Sequence, residues 1–492
     1  MNPWVILAIF LLYFSIIMII SYYTSRNATS RTFFNANRKS KWYWVAFGMV
    51  GTSLSGVTFI SVPGWVGTTQ FSYMAMVLGY IAGYFLIAFI LLPLYYRLNL
   101  PSIYSYLNDR FGKYSYKTGA AFFILSRSLG AAFRTYIIIN VLQLFVFNSW
   151  KIPFWFTALL FLMLMLLYTY RGGVKTLVYT DMLQTLGMLL AVFFTIFFIS
   201  KELHSSVYDL AVQVKNSSMS QWFFWDNWND KRHFIKQFLA GMFITLTMTG
   251  LDQEMMQKNL SCKNVKDAQK NMISYSMVIA LVDFLFLFLG VILYFYAQKQ
   301  GLAIPSKTDD LFPMIALQQI GSITGIVFII GIISAAFPSA DGALTSLTTI
   351  FSVDILGLTR KNLPEKKIKK TRIKVHIAFT ILLYIIVVIF SEVNNEAVIS
   401  KIFTVAGYTY GPLLGLYAFG IITKRTIKDK FAPYIAIASP IVCFFLDIYS
   451  KQLFNGYQFG FELILVNGLI TFILLGLTSI SAKKQTVEKT TK

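Results

Sequence analysis

Long apolar runs separated by short polar loops fill almost the whole chain. The runs are continuous and do not alternate between apolar and polar positions, so they favour membrane-spanning helices over the strands of a β-barrel. In lipid the backbone must satisfy its own hydrogen bonds, which a helix does. The pattern predicts an all-α membrane protein with about 13 spans, near residues 3–23, 43–64, 71–97, 118–147, 152–170, 176–200, 234–251, 271–297, 317–352, 373–391, 397–423, 431–449 and 458–481.

The composition agrees with a lipid environment. Of the 492 residues 56% are hydrophobic and 13% are charged, whereas soluble proteins carry about 25% charged residues. Intrinsic disorder and small disulfide scaffolds are therefore excluded. The two cysteines and three histidines show no spacing typical of a metal site. Because no pairing of a nucleophile with a base is visible either, we predict that the protein is not an enzyme.

The basic residues are distributed unevenly between the two sides of the membrane. The net charge of +22 would suggest nucleic-acid binding in a soluble protein, but basic loops on the cytosolic side explain it better here. Most of the 43 lysines and arginines fall in one alternate set of loops, Lys258 among them. The distribution predicts a plasma-membrane protein with its N-terminus outside, its C-terminus and tail (483–492) in the cytosol, and no nucleic-acid partner.

Two spans are interrupted by glycine, proline and hydroxyl-bearing residues. The second span contains GTSLSGVTFISVPG (51–64) and the ninth contains SAAFPSADGALTS (334–346). Such segments can unwind inside a membrane and free backbone carbonyls to bind a cation. The alternative interpretation is close helix packing through small residues.

Charged side chains inside a span are costly in lipid and are therefore candidates for function. Asp181 lies near the start of the sixth span, Asp341 in the ninth, and Arg127 and Arg134 in the fourth. Together with the hydroxyl-rich interruptions, the two acids suggest a site for a hard cation such as Na⁺, which prefers oxygen ligands. Asp283 has no polar neighbours in the sequence and is interpreted as structural.

The order of the spans permits an inverted repeat. Spans two to six (43–201) and spans seven to eleven (234–424) are two sets of five helices. Since five is odd, the two sets have opposite orientations in the membrane. One extra helix (3–23) precedes them and two helices (431–481) follow, all within one transmembrane domain (1–482). Inverted repeats that begin with a broken helix are typical of transporters working by alternating access.

Several motifs, taken in order, resemble the solute:sodium symporter family, which includes sodium-coupled sugar, proline, iodide, pantothenate and sialic-acid transporters. The resemblance covers about residues 5–480. It depends on TSLSGVTF (52–59), PLYYRL (93–98) with SIYSYL (102–107), YRGGVKTLVYTDMLQ (170–184), GLDQEMMQK (250–258), AAFPSAD (335–341) with TSLTTIFSVD (345–354), and GPLLGL (411–416) with TKR (423–425).

The resemblance implies a LeuT-type fold of five plus five helices and a main sodium site between spans two and nine. Matched to the motifs, its ligands are the carbonyls of Gly51, Leu54 and Ala335 and the hydroxyl of Ser339. The family often has a second hydroxyl where this chain has Pro338, so a carbonyl or a water must replace that ligand.

Some members of the family, the sialic-acid type among them, have a second sodium site at the aspartate that Asp181 matches. Its partners in the ninth span fall at Pro338, Asp341 and Gly342, where those members have serines. Asp181 and Asp341 are therefore a candidate second site. We predict that their carboxylates lie close together beneath the main site.

The resemblance also indicates where the solute binds. Ser53, Ser55 and Thr58 match positions whose side chains contact the solute in the sialic-acid type. Those members have a carboxylate-binding arginine at the position of Gly130, one turn before Arg134. Because residues four apart share a helix face, Arg134 is the candidate carboxylate ligand. The alternative is an ion pair of Arg134 with another helix.

These observations predict a sodium-coupled symporter that imports a small polar solute, with Na⁺ as the coupling ion. A carboxylated sugar of the sialic-acid type, or another organic anion, fits Arg134 best. A neutral sugar or polyol is the alternative, and a membrane sensor that has lost transport is a further one. The oligomeric state is left open.

Overall fold

The computed structural model describes residues 2–25, 40–98, 102–169, 174–358 and 363–480, and these ranges are almost entirely helical. The helices are α1 (Pro3–Ser25), α2 (Trp42–Ser53), α3 (Gly56–Thr69), α4 (Tyr73–Leu86), α5 (Leu92–Leu98), α6 (Ser105–Arg110), α7 (Lys113–Phe145), α8 (Phe154–Thr169), α9 (Val174–Glu202), α10 (Val207–Lys215), α11 (Phe234–Thr245), α12 (Gln253–Asn259), α13 (Val265–Lys299), α14 (Leu311–Met314), α15 (Ser322–Ile350), α16 (Glu365–Val393), α17 (Val398–Ile422), α18 (Ala432–Ile448), α19 (Ser450–Leu453) and α20 (Leu463–Leu477). The short strands β1 (Thr426–Ile427) and β2 (Ser479–Ile480) pair antiparallel. The predicted tail, 483–492, lies outside the described residues.

Short turns of different pitch join or extend several helices. A π turn (Ile87–Leu91) joins α4 to α5, and π turns at Leu246–Gly250, Ile315–Gln319 and Phe351–Ile355 follow α11, α14 and α15. Turns of 3₁₀ type lie at Gln70–Ser72, Phe147–Trp150, Ser218–Ser220, Thr308–Asp310 and Asp429–Phe431.

Helices occupy all of the predicted spans, which confirms the all-α membrane fold. In the described part of the chain, 9 helices are long and apolar enough to cross a membrane, or up to 10 if the bent pair α11–α12 counts as one span. This count is lower than the predicted one for two reasons. The segment from α3 to α5 runs as one continuous stretch (Gly56–Leu98), and the apolar parts of α8 and α20 are short.

Several of the loops that carry basic residues contact one another. The Arg110 guanidinium donates to the carbonyls of Thr423, at 2.6 Å, and Arg425, at 2.8 Å. The Ser40 amide donates to the Ser261 carbonyl at 3.1 Å. At the start of α1, Trp4 contacts Trp150, which follows α7, with 4.5 Å between ring centroids. The start of α1 therefore lies beside the loop between α7 and α8.

The first helix of each predicted repeat is broken in mid-span. Between α2 and α3 the backbone is extended at Leu54 (φ −72°, ψ 107°) and Ser55 (φ −110°, ψ 173°). Between α11 and α12 the direction changes by 74°. The Asp252 carboxylate caps α12 by accepting a hydrogen bond from the Met255 amide at 3.0 Å. Each break leaves backbone groups without helical partners near the centre of the protein.

Small residues let the helices around these breaks approach closely. A Cβ on Gly241 of α11 would lie 2.0 Å from the carbonyl oxygen of Met76 in α4. A Cβ on Gly51 of α2 would lie 2.0 Å from the Thr185 hydroxyl in α9. The long helix α7 packs against α15, α16 and α17. The two broken helices are thus enclosed by α4, α7, α9, α13 and α15.

Candidate solute and sodium site

The break between α2 and α3 presents unpaired backbone groups to the interior. The Leu54 amide donates to the Val50 carbonyl at 2.9 Å, and this is the last helical hydrogen bond of α2. The next helical bond that forms runs from Phe59 to Ser55 in α3, at 3.0 Å. The carbonyls from Gly51 to Leu54 therefore lack α-helical donors. This set includes Gly51 and Leu54, two of the three residues whose carbonyls are predicted as sodium ligands.

A cavity lies beside this break and is bounded mainly by α2, α3, α4, α7, α11, α13 and α17. The three side chains predicted to contact the solute, Ser53, Ser55 and Thr58, line it. Other polar or charged groups in its wall are Thr52, Tyr73, Tyr80, Tyr84, Arg127, Arg134, Thr245, Thr249 and Asp283. The Ser53 hydroxyl is hydrogen-bonded to the Tyr275 hydroxyl, which lies 3.1 Å from the hydroxyl of Tyr84.

The two arginines of α7 differ in their partners. Arg127 contacts Asp252 at 3.5 Å and also pairs with Glu254, so its charge is balanced within the protein. Arg134 forms no ion pair with any described residue, although it lines the cavity. An ideal Cβ on Gly130 would meet nothing within 4 Å, so there is open space one turn before Arg134. The Arg134 guanidinium is the cationic group available to a solute here.

Asp283 is a cavity residue that the sequence did not reveal. It lies in α13, is 3% exposed and shares the cavity wall with Tyr73 and Tyr80. The sequence analysis interpreted Asp283 as structural because its neighbours along the chain are apolar. The tyrosines that share the cavity wall with Asp283 belong to α4, which is distant in the sequence. Asp283 thus adds acceptor oxygens to the cavity wall.

The predicted main sodium ligands lie on two helices that contact each other, α2 and α15. Ala335 and Ser339 are both buried. The Ser339 hydroxyl has no hydrogen-bond partner among the described residues, as expected for a group that awaits a ligand. Pro338 has no N–H, so the carbonyl of Ser334 loses its helical donor and is a candidate replacement for the missing hydroxyl. That these groups bind one ion stays a prediction.

Asp181 is engaged by a lysine. The Lys258 Nζ lies 2.8 Å from Asp181 Oδ2, 2.5 Å from the Thr52 hydroxyl and 3.1 Å from Glu254 Oε1. The sequence interpretation assigned Lys258 to a cytosolic loop, and the structure corrects this. The helix α12 continues to Asn259, so Lys258 turns inward and its side chain is only 3% exposed.

The other half of the candidate second sodium site lies in α15. Asp341 is fully buried, and the adjacent Gly342 packs directly on Glu254, since a Cβ there would lie 2.1 Å from Glu254 Oε1. Residues 181 and 341 thus lie on helices that contact each other, because α9 packs along α15. The predicted closeness of their two carboxylates, and a second Na⁺ between them, stay predictions.

Comparison with known proteins agrees with this arrangement. The sodium:solute symporter family model matches residues 33–459. The sodium/sialic acid symporter SiaT of Proteus mirabilis is 24% identical over 413 residues, which cover 82% of each protein. NanT, the sodium/sialic acid symporter of Aliivibrio fischeri, is 25% identical over 414 residues, covering 82% of this chain and 80% of NanT. Human sodium-coupled monocarboxylate transporter 2 is 22% identical over 403 residues, covering 81% of this chain and 64% of that protein.

The fold is shared with solved transporter structures. A substrate-bound, outward-open Na⁺-coupled sialic acid symporter superposes with a TM-score of 0.82 at 20% identity, over 96% of this chain and 97% of that one. MHP1, a nucleobase-cation-symport-1 transporter, superposes with a TM-score of 0.54 at 10% identity, over 90% of this chain and 92% of that one. The LeuT-type fold is thereby confirmed. The chain belongs to the sodium:solute symporter family and is a transporter that moves a small solute across a membrane together with Na⁺.

Proposed function

We propose that the protein imports a carboxylated, hydroxyl-rich solute of the sialic-acid type together with Na⁺. The observation that carries this proposal is Arg134, a guanidinium in the cavity wall without a carboxylate partner in the described chain. A guanidinium binds a carboxylate through two parallel hydrogen bonds, and that contact gains strength where water is excluded. A solute carboxylate would give Arg134 the anionic partner that it lacks among the described residues.

The relatives support a carboxylated solute. Two bacterial relatives are sodium/sialic acid symporters, and a human relative transports monocarboxylates. The rest of the cavity wall favours a solute with several hydroxyls, because Ser55, Thr58 and the tyrosines Tyr73 and Tyr80 offer hydroxyls and Asp283 offers acceptor oxygens. A sugar acid has both kinds of group.

A neutral sugar or polyol is the second candidate, and Asp283 is the observation that favours it. Carboxylates accept hydrogen bonds from sugar hydroxyls whether or not the sugar is charged. A neutral solute would leave Arg134 buried without an anion, and an unpaired buried charge is costly. The carboxylated solute therefore remains the preferred one.

The mechanism requires binding and movement only. Na⁺ from outside would bind the freed carbonyls of Gly51 and Leu54 and join α2 to α15 through Ala335 and Ser339. Holding the α2–α3 break in one conformation would fix Ser55 and Thr58 for the solute. The two ligands would thus share a coupling free energy. Rocking of the broken helices against α7 and α15 would then open the cavity to the cytosol.

We also propose that the N-terminus is outside and the C-terminus is in the cytosol of the plasma membrane. The uneven distribution of the basic residues, together with the contacts among the basic loops, supports this orientation. A C-terminal tag that an external protease digests in intact cells would contradict it.

Uptake into proteoliposomes tests the proposed function. Purified protein is reconstituted, and an inward Na⁺ gradient is compared with an inward K⁺ gradient for radiolabelled sialic acid, a neutral hexose and a short monocarboxylate. We expect Na⁺-dependent uptake of sialic acid above that of the hexose. Uptake of the hexose alone would favour the neutral alternative, and a lack of Na⁺ dependence would contradict the main sodium site.

The Ser339→Ala substitution should weaken Na⁺ coupling. The lost ligand contributes about 1–2 kcal/mol, so the Na⁺ concentration for half-maximal uptake should rise roughly 5- to 30-fold. Because the Ser339 hydroxyl makes no hydrogen bond to a described residue, thermal stability in Na⁺-free buffer should not fall. Ser346→Ala is the matched control, since that hydroxyl lies on the same helix and donates to the Ala343 carbonyl at 3.0 Å. An equal rise in the Na⁺ concentration for half-maximal uptake in both variants would show that Ser339 is not a sodium ligand.

The Asp283→Asn substitution tests the hydroxyl-binding half of the cavity. The variant keeps the shape but loses a charged acceptor, so the Kd for the sugar acid should rise about tenfold. The Kd for a short monocarboxylate without hydroxyls should stay unchanged. Asp447→Asn is the control, because Asp447 binds the Tyr408 hydroxyl at 2.7 Å and is absent from the cavity wall. Equal losses for both solutes would show that Asp283 shapes the cavity without contacting hydroxyls.

A further inference from the structure

The Lys258 ammonium is surrounded by oxygen acceptors from three helices. Thr52 belongs to α2, Asp181 to α9 and Glu254 to α12, and the three acceptor distances lie between 2.5 and 3.1 Å. An ammonium has three N–H donors, so each of them has a partner here. The side chains of Lys258 and Asp181 are 3% and 1% exposed. Carboxylate and hydroxyl oxygens are also the type of ligand that a bound Na⁺ prefers.

A cation of the protein already faces Asp181 without a metal ion. The single negative charge of Asp181 faces the single positive charge of Lys258, and Glu254 is shared between Lys258 and Arg127. The second oxygen of Asp181, Oδ1, is buried and has no hydrogen-bond partner in the described part of the chain. A Na⁺ on that oxygen would lie beside the ammonium and be repelled by it.

We propose that Lys258 is a built-in cation that occupies the position of a second Na⁺ at Asp181. The protein then binds one Na⁺ per transport cycle, at the break between α2 and α3. This inference rests on the proposed function only for that main sodium site and is independent of the solute. Na⁺ would bind at Asp181 only when the ammonium is removed, because both carboxylate oxygens and the Thr52 hydroxyl would then be available to a hard cation.

The arrangement also gives Lys258 a positioning role. Its contacts join the end of α2, next to the main sodium site, to α9 and to the second broken helix. A covalently attached cation cannot leave to the cytosol during the cycle, whereas a bound Na⁺ can. The hydrogen bonds of Lys258 therefore connect these helices in every state in which the three acceptors remain within hydrogen-bonding distance.

Na⁺ titration of the purified protein without any solute tests the inference. Binding of radioactive Na⁺ is measured by scintillation proximity for the unmodified protein, Lys258→Met, and the double variant Asp181→Asn/Lys258→Met. We expect a Hill coefficient of about 1 and one bound ion for the unmodified protein, since the coefficient cannot exceed the number of sites. Lys258→Met should bind a second Na⁺, with a coefficient above 1. The double variant should return to one ion.

Asp181→Asn alone adds a second expectation. It leaves the Lys258 charge without its main partner near the sodium site, so the Na⁺ concentration for half-maximal binding should rise several-fold with one ion still bound. Lys258→Arg, which keeps the charge, should bind one ion. Lys236→Met is the matched control, because Lys236 is 2% exposed and donates to the Gln458 carbonyl at 3.0 Å, away from Asp181.

Two results would overturn the inference. One is two bound Na⁺ ions in the unmodified protein, a measurement that does not depend on any variant folding. The other is a folded Lys258→Met variant that binds a single ion with unchanged affinity. Failure of sialic acid uptake alongside a one-ion titration would overturn only the proposed solute, because the titration contains no solute.

Discussion

Replacement of Arg134 by alanine should remove most of the affinity for a carboxylated solute. Loss of one partner of a buried, hydrogen-bonded charge pair costs about 2–5 kcal/mol, which corresponds to a rise in Kd of roughly 30- to 3,000-fold. The reason is local: Arg134 lines the cavity and has no carboxylate partner within the described ranges. Isothermal calorimetry with sialic acid in saturating Na⁺ measures the change.

Two further variants separate a carboxylate contact from a packing effect. Arg134→Lys keeps the charge but not the two-pronged geometry, so it should recover only part of the affinity. Gly130→Arg combined with Arg134→Ala moves the guanidinium one turn along the same face of α7. The open space at Gly130 allows this side chain, and the double variant should recover more affinity than Arg134→Ala alone.

An unchanged Kd for sialic acid in Arg134→Ala would contradict the carboxylate contact. The preference for an anionic solute would then lose its main support, and Asp283 would become the principal polar group for a neutral sugar. Na⁺ binding measured without solute should be the same in all three variants. A change there would show that the substitutions disturb the α2–α3 break.

The sequence was sufficient for features that depend on local pattern. The thirteen apolar runs each contain a helix, because a membrane span needs only length and continuous apolarity. The break at Leu54 and Ser55 was also predictable, since it falls in a run of glycine and hydroxyl residues inside a span. The second break, at Leu251 between α11 and α12, was not predicted, although TLTMTG (245–250) directly before it has three threonines and a glycine. A bend of 74° there depends on packing around Asp252.

The sequence was insufficient where charges from distant helices meet. Lys258 was assigned from the sequence to a cytosolic loop, yet Lys258 and its partner Glu254 are both buried because α12 points into the protein. Partners such as Asp181 and Arg127 are more than 70 residues away in the chain. The place of Asp283 in the cavity wall was not predicted for the same reason, since the tyrosines that share this wall belong to α4. The acidic residues four and six positions before Lys258, in LDQEMMQK, were the available signal of an inward-facing helix.

The second large effect expected is on stability, from Arg127→Met. Arg127 pairs with Asp252 and Glu254, and all three side chains are at most 7% exposed. Removing one member of a buried ion cluster leaves the others without compensation and costs about 3–5 kcal/mol. Glu254 keeps its contact with Lys258, so the loss falls mainly on Asp252. The apparent unfolding temperature of the purified protein in detergent should therefore drop.

A surface pair provides the control for this prediction. Arg232 and Asp230 are 2.9 Å apart, but their side chains are 35% and 24% exposed. Solvent screens such a pair, so Arg232→Met should cost less than about 1 kcal/mol. Removing the unbalanced acid as well, in Arg127→Met/Asp252→Asn, should restore part of the lost stability because the buried negative charge disappears.

Equal unfolding temperatures for Arg127→Met and Arg232→Met would contradict the buried cluster, because burial is the main difference between the two pairs. A further drop in the double variant would show that Asp252 stabilises α12 through its cap to Met255 and not through its charge on Arg127. If instead the double variant recovers, the ion pair holds α7 against the second broken helix. That contact fixes one wall of the cavity, so Arg127→Met should also weaken solute binding, although Arg134 and its guanidinium are untouched.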